Sequence, residues 1–307
     1  MGDDTSVRHL PFWMPPNQPF YLNPTMNNQP LQVSVREVIA SKNANLLRWI
    51  PEFLLRWFER FVHQDELNRV LKKYHGFDGR EFAVKAIEEM GCTVQCNFAD
   101  RIPKEGPTVF VANHPMAGMD ALSLFASVGK MRDELHIIAN DVLANIPQFK
   151  GYFIPVNKFG KSAKDSMIRV DEAYASKKAM IVFPSGLCSR KINGEIVDLE
   201  WQKSFLAKAI QYDYNIVPVH INGKNSNRFY RIANWRKFLG IKFNIEMMTL
   251  ADELFKQKGQ TVTLTFGHPI PANIFNKKRT FEDAQRIKKF VYQLAEQPEA
   301  TFTLSGS

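Results

Sequence analysis

Asn113, His114 and Asp120 stand close together in the stretch TVFVANHPMAGMD, residues 108–120. Imidazole is the one side chain whose ordinary pKa suits proton transfer near neutrality. A carboxylate six residues on can accept from one ring nitrogen, which fixes the tautomer and leaves the other nitrogen free as a base. If the two side chains meet, the chemistry open to them is removal of a proton from a bound hydroxyl. The spacing equally allows a plainer arrangement, a turn histidine beside an aspartate that caps a helix.

The elements that must hold these residues can be read around them. TVFVA is an apolar run of strand length, and in an open α/β sheet ligands sit beyond the carboxyl ends of strands. Asn113 and His114 occupy that place. Pro115 discourages further ladder pairing, Gly118 permits a tight backbone, and a helix is expected to begin near Asp120. Similar short runs follow along the chain: CTVQCNF, LHIIAN, GYFIPV, AMIVFP, NIVPVHI, FNIEMM and VTLTFG. Helical stretches are expected around 120–130, 162–176, 200–212 and 278–294. This alternation predicts an α/β fold, a mixed central sheet flanked by helices, over residues 91–307.

Upstream the texture differs. Residues 1–30 carry Pro11, Pro15, Pro16, Pro19, Pro24 and Pro30 and predict an irregular arm, with Phe12, Trp13, Phe20 and Tyr21 available to pin it to the body. Residues 31–90 predict an N-terminal helical extension. There Leu46, Leu47, Ile50, Phe53, Leu54, Trp57, Phe58, Phe61 and Val62 recur at steps of three and four, with Arg48, Arg56, Glu59 and Arg60 largely on the other side. Such a stripe either packs on the core or lies in a membrane interface. Pro51 opens a second helix or kinks a longer one.

Composition narrows the classes. Across 307 residues, 45% are hydrophobic, which supports a core and excludes general disorder. Forty Lys and Arg oppose 31 Asp and Glu, and the resulting +9 favours polyanionic partners, nucleic acid or an anionic membrane face. No run of 18 apolar residues predicts a bilayer crossing. The acidic, proline-broken N-terminus does not read as a signal peptide. Three cysteines fit a reducing compartment and no four-ligand zinc site, and Cys92 and Cys96 would share one face of a strand as buried small residues. His9, His63, His75, His136, His220 and His268 make no metal spacing, though His220, at the end of its strand, could approach the pocket. Residues 223–242 interleave Lys224, Arg228, Arg231, Arg236 and Lys237 with Phe229, Tyr230, Trp235 and Phe238. That mixture suits single-stranded nucleic acid, a membrane interface, or a solvated helix with one packed side. The absence of a nucleotide loop or nucleic-acid module disfavours nucleic acid.

NHPMAGMD resembles the hallmark of the glycerolipid acyltransferase superfamily, which contains the lysophosphatidic acid acyltransferases. Three further blocks follow in that family's order: GYFIPVNK (151–158), VFPSGLCSR (182–190) and IVPVHI (216–221). The resemblance spans roughly 90–270. Five residues separate His114 from Asp120 where four are usual, which is similar to the hemolysin-like branch with its ornithine- and glycine-lipid O-acyltransferases. Asn157 and Lys158 stand where an Arg is usual, and Ser185 where a Glu is typical.

The resemblance implies a glycerol-3-phosphate acyltransferase-like fold, with residues 91–307 as the acyltransferase domain. It implies His114 as base and Asp120 as its orienting carboxylate. Asn113, Gly118, Asn157, Lys158, Ser185 and Gly186 would line the substrate, with Gly186 near the oxyanion and Arg190 and Lys191 holding an anionic head group. The expected activity is transfer of a fatty acyl group from acyl carrier protein or coenzyme A to the hydroxyl of a lysolipid. The departures favour lyso-ornithine or lyso-glycine lipid over 1-acylglycerol-3-phosphate. No metal or tightly held organic cofactor is implied, and attachment is expected to be peripheral, on the cytoplasmic face of the inner membrane. Two other functions fit the residues: a serine lipid hydrolase using Ser185, and a non-enzymatic lipid- or nucleic-acid-binding module.

Overall fold

The computed structural model describes residues 9–10, 32–42, 44–116, 118–140, 146–156, 162–241 and 244–304. The expected proline-rich arm, with Phe12, Trp13, Phe20 and Tyr21, lies outside these residues except for β1 (His9–Leu10), which pairs in parallel with β2 (Gln32–Val33). Helices then fill the predicted extension: α1 (Val35–Lys42), α2 (Ala44–Trp49), α3 (Glu52–Phe61), α4 (Gln64–Lys73) and α5 (Gly79–Glu89). Pro51 precedes α3 as its N-cap, so it separates two helices rather than kinking one. On α4, Asn68 exchanges two hydrogen bonds with the backbone of Val33 and so pins β2. Asp78 caps α5 by accepting from the amides of Arg80 and Glu81.

The apolar stripe of α2 and α3 does not pack as a unit. Trp49, Phe53 and Trp57 are 84%, 73% and 53% exposed, whereas Leu55 and Val62 turn inward. Leu55 lies off the predicted stripe. Ion pairs from Arg36 to Glu52 and Glu59, at 2.6 and 2.7 Å, hold α1 against the polar flank of α3 and help set which face it turns to the body.

The α/β layer follows with β3 (Thr93–Asn97), β4 (Thr108–Ala112), α6 (Met119–Gly129), β5 (Leu135–Asn140), β6 (Phe153–Val156), α7 (Ser162–Ala175) and β7 (Ala179–Val182). Beyond these come the hairpin β8 (Arg190–Ile192) and β9 (Glu195–Val197), α8 (Ser204–Tyr212), β10 (Asn215–Asn222), α9 (Asn227–Phe238), α10 (Leu250–Phe255), β11 (Thr261–Phe266), β12 (Ile270–Pro271) and α11 (Thr280–Gln293). The main sheet runs β3-β11-β10-β4-β7-β5-β6, with β12 beside the start of β10. β10, β4, β7, β5 and β6 are parallel; β11 is antiparallel to β10 and carries β3 parallel to itself. The sheet is therefore mixed, as expected.

Both faces are covered, which is why β4 and β7 are buried at every residue rather than at alternate ones. Along β4, Val109 and Val111 join the core with Trp201, Phe205 and Ile287 on one face. Phe110 and Ala112 join the core with Phe82, Phe125 and Phe266 on the other. One expected strand is absent: in FNIEMM the described residues form a 3-10 turn, Ile245–Thr249. Glu246 is buried there between Arg190 and Arg236, and the Met247 amide closes back on the Asn244 carbonyl at 3.0 Å. Paired charges set that segment more strongly than its alternation. Among the described residues no helix is long and apolar enough to cross a membrane.

Candidate active site

β4 lies in the middle of the sheet, and its carboxyl end delivers Asn113 and His114. Asn113 is spent on structure. Its side chain donates to the Ile221 carbonyl at 2.9 Å and accepts from the Ile221 amide at 2.7 Å, splicing the end of β4 to β10. With both ends of the amide occupied and the residue buried, it does not face a substrate.

His114 and Asp120 meet. The imidazole Nδ1 is 2.7 Å from Asp120 Oδ2. The amides of Met116 and Ala121 donate to the two oxygens of the same carboxylate at 2.9 and 2.8 Å. Asp120 is fully buried in the first turn of α6, and the helix N-terminus favours its negative charge. Gly118, not Asp120, is the N-cap residue, so the carboxylate is left free to orient the ring. Phe183 stacks on the imidazole at 4.5 Å. Burial by itself disfavours the imidazolium, but the charge and hydrogen bond of Asp120 outweigh it and raise the His114 pKa well above its ordinary value of 6.5. Burial likewise pushes the Asp120 carboxyl up, against the pull of His114 and the two amides. The pair titrates as one unit.

Asp198, which the sequence did not single out, holds the backbone beneath the ring. One carboxylate oxygen accepts from the His114 amide at 3.1 Å and the Ser189 hydroxyl at 2.6 Å; the other accepts from Trp201 Nε1 at 2.9 Å. The Ser189 amide in turn donates to the His114 carbonyl at 2.7 Å. No spacing rule marks Asp198, because it reaches His114 only after the β8–β9 hairpin has folded back. The sign of that hairpin is Asn193-Gly194, both with positive φ, joining two short strands.

The other expected site residues are distributed unevenly. Ser185 is buried and its hydroxyl donates to the Leu187 carbonyl at 2.8 Å. A nucleophile for the hydrolase alternative would instead donate to the imidazole. Gly186 has φ +64°, which favours glycine, but its amide donates to the Phe183 carbonyl at 2.9 Å and closes a turn. That amide is thus not free for an oxyanion. Gly118 has an ordinary φ of −97°, so the tight backbone expected of it is not what the turn uses. Arg190 is buried, paired with Glu246 at 2.7 Å, bonded to the Cys188 carbonyl and stacked over Phe229. Its guanidinium is buried and its hydrogen bonds are spent on protein partners, which argues against a head-group clamp; Lys191 is exposed on the hairpin. Asn157 and Lys158 lie outside the described residues.

Cys92 precedes β3 and is buried with its thiol on the Gln257 carbonyl, while Cys96 donates to Ser127 Oγ. His220 is largely buried beside the Tyr292 ring, and burial pulls its pKa down to about 4 despite the charge of Asp198. Among the described residues no three His, Cys, Asp or Glu side chains converge as a metal-ligand set. Under the His-Asp turn, Met116 packs so closely on Gly223 that a Cβ there would lie 2.3 Å from its sulfur.

Residues 37–300 match the acyltransferase family. A lyso-glycine lipid O-acyltransferase of Bacteroides thetaiotaomicron is 40% identical over 264 residues, covering 85% of this chain and 97% of that one. Its counterpart in Phocaeicola vulgatus is 39% identical over 264 residues, covering 85% and 95%. Among solved structures, the 1-acyl-sn-glycerophosphate acyltransferase PlsC of Thermotoga maritima is similar with a TM-score of 0.44 and 21% identity, over 73% of this chain and 83% of that one. The family match begins within α1 and so takes in most of the helical extension, where the four sequence blocks reached only from about 90 to 270.

Proposed function

The chain belongs to the acyltransferase family, and from that membership we propose that it moves a fatty acyl group from an acyl thioester to the hydroxyl of a lyso-glycine lipid. The observation that carries the reading is the imidazole of His114, partly exposed on one side and held by a buried carboxylate on the other. In the reactive state Nδ1–H donates to Asp120 and Nε2 offers its lone pair. The acceptor hydroxyl gives its proton to Nε2 as its oxygen attacks the thioester carbon. The carbon–sulfur bond then breaks, and the leaving thiolate takes the proton back from the imidazolium. Asp120 stabilises that imidazolium and keeps the ring in one tautomer. Acyl carrier protein or coenzyme A supplies the thioester. The acceptor resides in a bilayer, and peripheral attachment at the cytoplasmic face of the inner membrane, aided by the +9 charge, completes the reading.

The test is transfer by the purified protein to lyso-glycine lipid, with lyso-ornithine lipid and lysophosphatidic acid as competing acceptors, each with both donors, followed by mass spectrometry of the two-chain product. Preferential use of lysophosphatidic acid would replace the acceptor named here. Transfer to none of the three would remove the reading.

A pH prediction follows from the dyad. The base works only when neutral, and its pKa is raised, so kcat/KM should climb with pH on a limb lying above 6.5. Asp120→Asn removes the charge that favours the imidazolium. The limb should move to lower pH while the plateau rate falls. A pH profile of the variant that keeps its limb in place would show that Asp120 does not set the titration of His114.

A further inference from the structure

α9 has two unlike sides. Phe229, Tyr230 and Ala233 are buried, and the first two pack with Cys188, whose neighbour Ser189 donates its amide hydrogen to the His114 carbonyl. On the outer side, towards the C-terminal end, Trp235 is 63% and Phe238 83% exposed, and Leu239 and Ile241 follow them into solvent. Contiguous exposed groups of this size mark an interaction surface rather than ordinary surface scatter.

The charge around them is of one sign. From Asn227 to Ile241 the chain has Arg228, Arg231, Arg236 and Lys237 and no acid. Arg228 pairs with Asp252 and lies over the Phe61 ring at 4.9 Å, and Arg236 pairs with Glu246, so these two are tied to the body. Arg231 and Lys237 are exposed beside the aromatics. A groove of about 410 Å³ runs between Arg228, Arg231, Trp235, Arg236 and Leu239. Tryptophan and phenylalanine flanked by cations match the two layers of a bilayer interface, apolar chains below and phosphates above.

We propose that the C-terminal half of α9 docks the protein on an anionic bilayer, with Trp235, Phe238 and Leu239 entering the interface and Arg231 and Lys237 meeting lipid phosphates. The proposal rests on the reading that the acceptor is a membrane lipid, and it gives that reading a geometry. A helix is about 10 Å across, so the lipid surface would lie roughly one helix diameter from the Cys188 cluster beside His114. The sequence left both the α2–α3 stripe and residues 223–242 open as interfacial elements. The Arg228–Phe61 contact joins α9 to α3, whose Trp57 stacks on the same Phe61 ring.

The experiment is sedimentation of the full chain with vesicles of phosphatidylcholine alone or mixed equally with phosphatidylglycerol, without acyl donor or acceptor. It therefore stands or falls separately from the transfer assay. The wild type should prefer the anionic vesicles and lose that preference as salt rises. Trp235→Ser/Phe238→Ser should weaken binding about tenfold or more, the scale expected for two aromatic side chains leaving an apolar phase. Arg231→Glu/Lys237→Glu, at exposed positions that carry no packing, should abolish the anionic preference even if the aromatic variant folds poorly. Unchanged binding by either variant in a folded state overturns the proposal. So does a shift in oligomeric state or melting temperature with vesicle binding intact, since the face would then cover a second copy or another part of this chain.

Discussion

His114→Ala should lower kcat by about 10² to 10⁴, the usual contribution of positioned proton transfer, with secondary structure and melting temperature near those of the parent. Among the described residues at the end of β4, the ring alone combines a buried orienting carboxylate with an open side. Alanine removes the proton acceptor but leaves Asp120 with the Met116 and Ala121 amides, and a buried carboxyl without its partner can take up a proton. The fold should tolerate the loss for that reason. Single-turnover transfer with acyl thioester in excess separates this effect from substrate binding: the chemical step should slow while the apparent affinity for the donor stays within a few fold. Transfer at the parent rate would remove His114 as the base.

Asp198→Ala should be costly in another way. Its carboxylate accepts from the His114 amide, the Ser189 hydroxyl and Trp201 Nε1, and it is buried. Alanine leaves three donors without a partner, at about 1 to 3 kcal/mol each, so a loss on the order of 3 kcal/mol or more is expected from denaturant unfolding. If His114 is the proposed base, activity should fall further than stability explains, because the backbone carrying the ring loses its anchor. Asp198→Asn keeps the shape but turns one acceptor into a donor facing donors, and should fall between parent and alanine. An alanine variant with the parent's unfolding midpoint would mean these bonds contribute nothing net.

The sequence carried the sheet and the dyad because both depend on local signals. Strand-length apolar runs fixed β4, β5, β7, β10 and β11, and Pro115 marked the end of the ladder beyond which His114 meets Asp120. Roles set by distant partners were not legible. Asn113 reads as a substrate contact until Ile221, 108 residues away, takes both ends of its amide. Arg190 reads as a free cation until Glu246 is brought against it from a segment that itself reads as a strand. For α3, steps of three and four described an apolar stripe correctly but not which side meets the body, since Leu55 inside and Trp57 outside are separated only by tertiary packing.

The contact of Met116 with Gly223 has a bearing on how such chains can diverge. A methyl group at 223 would stand 2.3 Å from the thioether, so Met116, buried and carrying an amide bonded to Asp120, would have to move first. A shorter residue at 116 opens room for alanine at 223, whereas the reverse order first requires the buried Met116 side chain to swing aside. The two positions are thus coupled through one side chain, and a change at 223 is easier once 116 has shortened.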